Sequence, residues 1–243
     1  MNSINQYAAL RESAAPGSVA PVGGRLAARV STPTMPPEPP GLHRLDLGRG
    51  DDGLLYVPAG YRADVAAPLV VLLHGAGGDA RGGIDPLLRF ADESGVLLLA
   101  PASVGITWKV VFGSFGPDVA SIDRGLAYVF ARFAVDPEFV GIGGFSDGAS
   151  YALSVGLTNG DLFTHVIAFS PGFSAPSHKT GRPAIYLTHG VEDRVLPIEF
   201  TSRRLRPRLE QFGYHVEYEE FYDGHVVPSD RAKRGLDWFL RAG

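Results

Sequence analysis

The sequence predicts an α/β protein with a mostly parallel central sheet and helices on both faces. Three observations predict it. Apolar runs such as APLVVLLHG (67–75), VLLLAP (96–101) and HVIAFS (165–170) read as strands buried on both faces. Stretches with apolar residues at helical spacing alternate with them. The 243 residues, 45% hydrophobic and 20% charged, suit one large α/β domain or two small ones with an ordinary globular core.

The elements follow in order. Residues 1–41 read as a proline-rich N-terminal appendage, because STPTMPPEPPG (31–41) can form neither helix nor central strand. A short helix is expected near its start, with extended parts lying along the body. A domain then runs over residues 42–243. LHRLDL (42–47) and GLLYVP (53–58) flank GRGDDG as a hairpin. After the first buried strand, PLLRFADESG (86–95) predicts a helix, and VLLLAP returns to the sheet. From Asp118 to Ala134, Val119, Ile122, Leu126, Val129, Phe130 and Phe133 recur at helical spacing. FVGIGGF (139–145) predicts a strand and SDGASYALSVGL (146–157) a small-residue helix. HVIAFS and AIYLTHG (184–190) are further strands. A helix over 200–212, kinked by Pro207, leads to the strand VEYEEFY (216–222) and the last helix, DRAKRGLDWFLRA (230–242).

Composition removes several function classes. With no cysteine, disulfides, thiolate metal sites and a cysteine nucleophile are excluded. No metal or cofactor is expected. A net charge of −4 argues against nucleic-acid binding. The cluster Arg203, Arg204, Arg206 and Arg208 reads as the solvated face of a helix. There is no basic start followed by an apolar run, and no stretch near the roughly 20 apolar residues that span a bilayer. The expectation is a soluble cytoplasmic protein.

Ligands of such folds collect at the carboxyl ends of the strands, and four short sequences fall there. Gly144-Phe145-Ser146-Asp147-Gly148 matches G-x-S-x-G between a predicted strand and a predicted helix. The chain must reverse sharply there, so the residues two before and two after the serine must be small. The run also approaches a dinucleotide fingerprint, but has serine where that motif wants glycine or alanine and comes late in the sheet. LLHGAGGDA (72–80) offers a backbone N–H, that of Ala76, to pair with the Asp147 N–H as an oxyanion hole; His74 reads as a loop-ordering residue. HGVEDRVLP (189–197) supplies two acids, Glu192 and Asp193, of which Asp193 is favoured as the partner of a catalytic histidine. YDGHVVPSD (222–230) carries His225, the only histidine after both. The order Ser146, Asp193, His225 is the one that accompanies this elbow.

On those four stretches the chain resembles the α/β-hydrolases. It is similar to small serine carboxylesterases of the dienelactone-hydrolase, phospholipase/carboxylesterase and polyhydroxybutyrate-depolymerase-like groups, over about residues 45–242. The resemblance implies Ser146 as nucleophile, Asp193 as orienting acid, His225 as base, and the Ala76 and Asp147 amides as oxyanion donors. It departs from dienelactone hydrolases proper, whose nucleophile is cysteine. It also implies ester hydrolysis through an acyl-enzyme, and an open aromatic cleft suits short-chain or aryl esters, or a polyester chain. A thioesterase, a polyester depolymerase, a peptidase or a non-catalytic binding protein on the same fold are the alternatives. Only PGFSAPSHKTGRP (171–183) separates two late strands, too little for a large lid, so an open cleft is expected. Trp108, Phe112 and Phe115, after the strand VLLLAP, are candidates to line it, with core packing as the alternative.

Overall fold

The computed structural model describes residues 23–109 and 115–241. Eight strands form one sheet: β1 (Gly41–Asp46), β2 (Asp51–Val57), β3 (Ala67–Leu73), β4 (Leu97–Pro101), β5 (Val135–Phe145), β6 (His165–Phe169), β7 (Ala184–Gly190) and β8 (Val216–Phe221). Their order is β1-β2-β4-β3-β5-β6-β7-β8. The hairpin β1–β2 joins β4 antiparallel, and all pairings from β4 to β8 are parallel. The carboxyl ends of β3, β5, β7 and β8 therefore lie along one edge, which carries the four motif stretches.

Side-chain alternation along β3 shows how the layers are sorted. Leu69, Val71 and Leu73 pack into one core with α3 (Asp118–Arg132) and α4 (Asp147–Thr158). Val70 and Leu72 face the other way, against α1 (Ala80–Leu88) and α6 (Ser229–Phe239). Helices cover both faces, so the parallel strands are apolar on both sides and read in sequence as continuous runs rather than alternations.

Two helices differ from expectation at their boundaries. The helix expected over 86–95 begins earlier, at Ala80, because the Asp79 carboxylate caps the Gly82 N–H at 2.9 Å. It breaks after Leu88, and a separate turn, α2 (Ala91–Ser94), ends on the left-handed Gly95. The helix expected over 200–212 is a 3-10 turn at Ile198–Phe200 followed by α5 (Ser202–Gln211), with Thr201 in a non-helical conformation between them. Pro207 lies inside α5.

Residues 24–40 carry no helix or strand and lie along the body. Leu26 is buried, and its N–H donates to the Asn159 side chain at 2.9 Å. The Ala27 and Ala28 amides share one Asp123 oxygen, and Arg25 makes a two-pronged contact with Asp161. The Thr34 and Met35 amides reach the Ala131 carbonyl at the end of α3. The short helix expected near the N-terminus lies outside the described residues.

Candidate active site

Ser146 sits between β5 and α4 at φ 57°, ψ −120°, a left-handed region that costs a non-glycine residue strain. What holds it there is close packing. A Cβ on Gly148 would come within 2.2 Å of the Leu73 carbonyl and 2.4 Å of the His74 carbonyl. One on Gly144 would meet the Leu73 carbonyl at 2.6 Å and the Gly148 backbone at 2.7 Å. The Ser146 N–H donates to the Phe169 carbonyl at the end of β6 at 2.9 Å. The turn is thus wedged between β3 and β6, and only glycine fits two residues before and two residues after the serine.

Ser146, His225 and Asp193 come together from three strand ends. The Ser146 hydroxyl lies 2.9 Å from His225 Nε2, and His225 Nδ1 lies 2.6 Å from Asp193 Oδ2. With the carboxylate at Nδ1, that nitrogen carries the proton, leaving Nε2 bare toward the serine. The His225 ring rests on Phe145, centroid to centroid 4.6 Å. Gly190 lets the loop before His225 close over β7, since a Cβ there would lie 2.3 Å from the Gly224 carbonyl. Glu192, the other acid of that loop, is exposed; its amide bonds the Asp223 carbonyl at 3.0 Å.

Asp193 is buried and fully engaged. Its Oδ1 accepts the Val195 and Leu196 amides at 2.9 and 2.8 Å. Burial alone would raise its pKa, but the Leu196 amide, the His225 ring and the Val195 amide outweigh that and hold the carboxyl below the usual range. Sequence reasoning missed one further partner. His189 Nε2 lies 3.0 Å from Asp193 Oδ2 and 2.9 Å from the Leu196 carbonyl, while its Nδ1 lies 2.6 Å from the Ser202 hydroxyl. Burial lowers the His189 pKa, which favours the neutral ring. Two acceptors at Nε2 place its one proton there, and Ser202 donates to Nδ1. His189 is four residues before Asp193 in the same motif, a spacing that could have flagged it.

The loop after β3 lies against the same serine. A Cβ on Gly75 would touch Ser146 Cβ at 3.5 Å. Among the described residues, neither the Ala76 nor the Asp147 N–H has a hydrogen-bond partner. His74 orders this loop: Nδ1 faces the Gly75 carbonyl at 2.7 Å, and Nε2 accepts the Ser103 N–H at 3.0 Å. Segment 102–109 braces the loop from above. Gly77 N–H donates to the Ile106 carbonyl, the Thr107 hydroxyl to the Asp147 carboxylate, and the Trp108 indole N–H to the His74 carbonyl, each at 2.7 Å. Buried Asp118 holds the segment in turn, accepting the Val104 and Lys109 amides.

This corrects the expectation for the aromatic residues. Trp108 and Phe115 are 5% and 3% exposed and pack on Tyr151 of α4, with ring centroids at 5.3 and 5.7 Å. They belong to the core under the site, because the indole N–H and the Tyr151 hydroxyl both find backbone carbonyls there. Phe112 lies outside the described residues. The large apolar side chains exposed on the loops at this edge instead include Val104, Ile106, Val195, Tyr222 and Val226. Among the described residues, the β6–β7 connection carries no helix, so no large lid covers the edge. No cluster of His, Asp or Glu among them could hold a metal ion, and no helix among them is long and apolar enough to cross a membrane.

Residues 120–233 match the family model described as phospholipase/carboxylesterase. The fold is similar to that of esterase PE8, at 24% identity and TM-score 0.63, with 82% of this chain and 97% of that one covered. It is also similar to FphF, a fluorophosphonate-binding serine hydrolase of Staphylococcus aureus solved with substrate bound (16% identity, TM-score 0.67, 84% and 100% covered). A CE1 ferulic acid esterase of Anaeromyces mucronatus in complex with ferulic acid matches at 19% identity and TM-score 0.55, with 77% and 83% covered. No curated protein matches the chain. The likeness to the solved structures is one of fold.

Proposed function

We propose that this α/β-hydrolase is a carboxylic ester hydrolase working through an acyl-enzyme on Ser146. The observation that carries the reading is the continuous chain of short contacts from the Ser146 hydroxyl through His225 to Asp193. Bare His225 Nε2 takes the serine proton as the oxygen attacks the ester carbonyl. The negative charge that develops on the carbonyl oxygen is met by the Ala76 and Asp147 amides, which have no other partner among the described residues. Losing one such donor typically costs about 3–4 kcal/mol of transition-state stabilisation. Asp193 stabilises the imidazolium, which then protonates the departing alcohol. Water repeats the sequence and releases the acid. The match of residues 120–233 to phospholipase/carboxylesterases, and the fold likeness to esterases, support ester substrates over peptides.

The test is direct. Wild-type protein hydrolyses 4-nitrophenyl butyrate and is labelled on Ser146 by a fluorophosphonate. Ser146→Ala keeps the fold by circular dichroism and loses both, with kcat falling by about 10⁵–10⁶ if the triad works as a unit. Full activity in that variant overturns the assignment.

A further inference from the structure

The four arginines that read as one solvated helix face split in the structure into two sets. Arg203 is paired with Glu199 and Glu220, and Arg206 with Glu210. Arg204 and Arg208, one turn apart on α5, have no carboxylate partner among the described residues. Both face a groove between α5 and the segment that follows β6. The groove consists of two cavities of about 200 and 280 Å³ that share Ser174, Leu205 and Arg208. Its floor is apolar, with buried Leu205 and Leu209, and Phe173, Phe200 and Phe212 stand exposed along it. Lys179 adds a third cation, seated 3.8 Å over the Phe212 ring. No acidic residue lines either cavity. The Ser174 hydroxyl is buried there without a hydrogen-bond partner.

A hydrogen-bonded link ties the groove to the helix that carries the candidate nucleophile. The Ser150 hydroxyl donates to the Ser146 carbonyl and accepts the Gly172 N–H at 2.8 Å, so the start of the groove hangs one helical turn behind the serine. A Cβ on Gly172 would touch Leu196 at 3.4 Å, and the Leu196 amide caps Asp193.

An apolar trough with two guanidiniums that no described carboxylate neutralises, that of Arg204 lying 5.0 Å from the Phe200 ring centroid, fits a chain that ends in an anion: the aliphatic part covers the leucines, and the carboxylate is held by Arg204 and Arg208. We propose that this groove selects esters that carry a carboxylate at the far end of an apolar chain. The proposal names a substrate class for the site described above and rests on that reading for turnover, while the groove's affinity for anions stands apart from it.

Two measurements test it. The first compares mono-4-nitrophenyl suberate with 4-nitrophenyl octanoate, and the butyryl ester of 8-hydroxyoctanoate with that of octanol. These place the carboxylate on the acyl and the alcohol side in turn. In at least one pair the anionic ester has the higher kcat/KM, the advantage shrinks with added salt, and Arg204→Gln/Arg208→Gln lowers the anionic-to-neutral ratio at least tenfold through KM. An unchanged ratio in both pairs overturns the proposal. The second uses Ser146→Ala protein and calorimetry, and needs no turnover. Octanoate binds at least tenfold more tightly than octanamide, and the double substitution removes the difference. Equal binding of the two ligands overturns the proposal even if esters are hydrolysed. Octanoate selectivity with no hydrolysis of any ester leaves the groove standing and removes the esterase reading.

Discussion

At the scale of single residues, the site depends on groups that do no chemistry themselves. His189 donates a hydrogen bond to the same Asp193 oxygen that receives His225 Nδ1, and its far nitrogen is held by Ser202. A bond to a charged group is worth about 1.5–3 kcal/mol. We expect His189→Phe to lower kcat about 10–100-fold with KM little changed, and His189→Gln, which keeps a donor, to recover part of the loss. A KM effect with unchanged kcat would contradict a positioning role. Gly148 is the other such residue. Alanine there drives a methyl into the Leu73 and His74 carbonyls, backbone atoms that cannot swing away. Overpacking of this kind costs about 1–3 kcal/mol, and backbone contact puts the change at the upper end. Denaturant midpoints of Gly148→Ala against wild type measure it.

At the scale of elements, segment 102–109 behaves as a brace between β4 and the loop after β3. Asp118, at the start of α3, is the group that shapes it, because one buried carboxylate satisfies both the Val104 and the Lys109 amides. Asp118→Ala would strand two donors, at about 1–3 kcal/mol each when they remain buried. Thermal melting should show the loss. Ester hydrolysis should weaken in parallel, since Ile106 holds Gly77 beside the proposed oxyanion amides. The helix type of each long periodic segment was legible in sequence because burial on one face imposes its spacing. The boundaries were not. The start of α1 is set by the Asp79 cap, and the break before α5 by Thr201, local hydrogen-bonding and backbone choices that apolar periodicity does not record.

At the scale of the whole molecule, residues 24–40 tie the far sides of α3 and α4 together. Arg25 beside Asp161 pulls that carboxyl down to about 2, chiefly through the hydrogen bond they share. A depressed carboxylate pKa contributes stability above its unfolded value near 3.9, and that contribution is lost as pH falls toward the folded value. We therefore expect hydrogen-exchange protection of the Leu26 to Ala28 amides to hold at pH 5 and to fade between about pH 4 and pH 2. Asp161→Asn should show the weaker protection already at pH 5. The pair is partly exposed, so the effect on global stability is small.

The sequence by itself determined the α/β class, because strands buried on both faces must be apolar throughout, and the parallel sheet bears this out. The resemblance to phospholipase/carboxylesterases is likewise borne out by the match over residues 120–233. Ser146 and its flanking glycines were legible because a steric rule writes itself into adjacent positions. Tertiary structure alone decided what depends on neighbours far along the chain. Trp108 and Phe115 turned inward because Tyr151, distant in sequence, packs on both rings, while the His74 carbonyl takes the indole N–H and the Phe115 carbonyl takes the Tyr151 hydroxyl. His189 acquired a partner in the buried carboxylate only once the loop after β7 folded back on itself. The arginine run divided into a set paired with carboxylates and a set without them because acids on β8 and along α5 reach one side of the helix, while the other side faces a groove lined by none among the described residues.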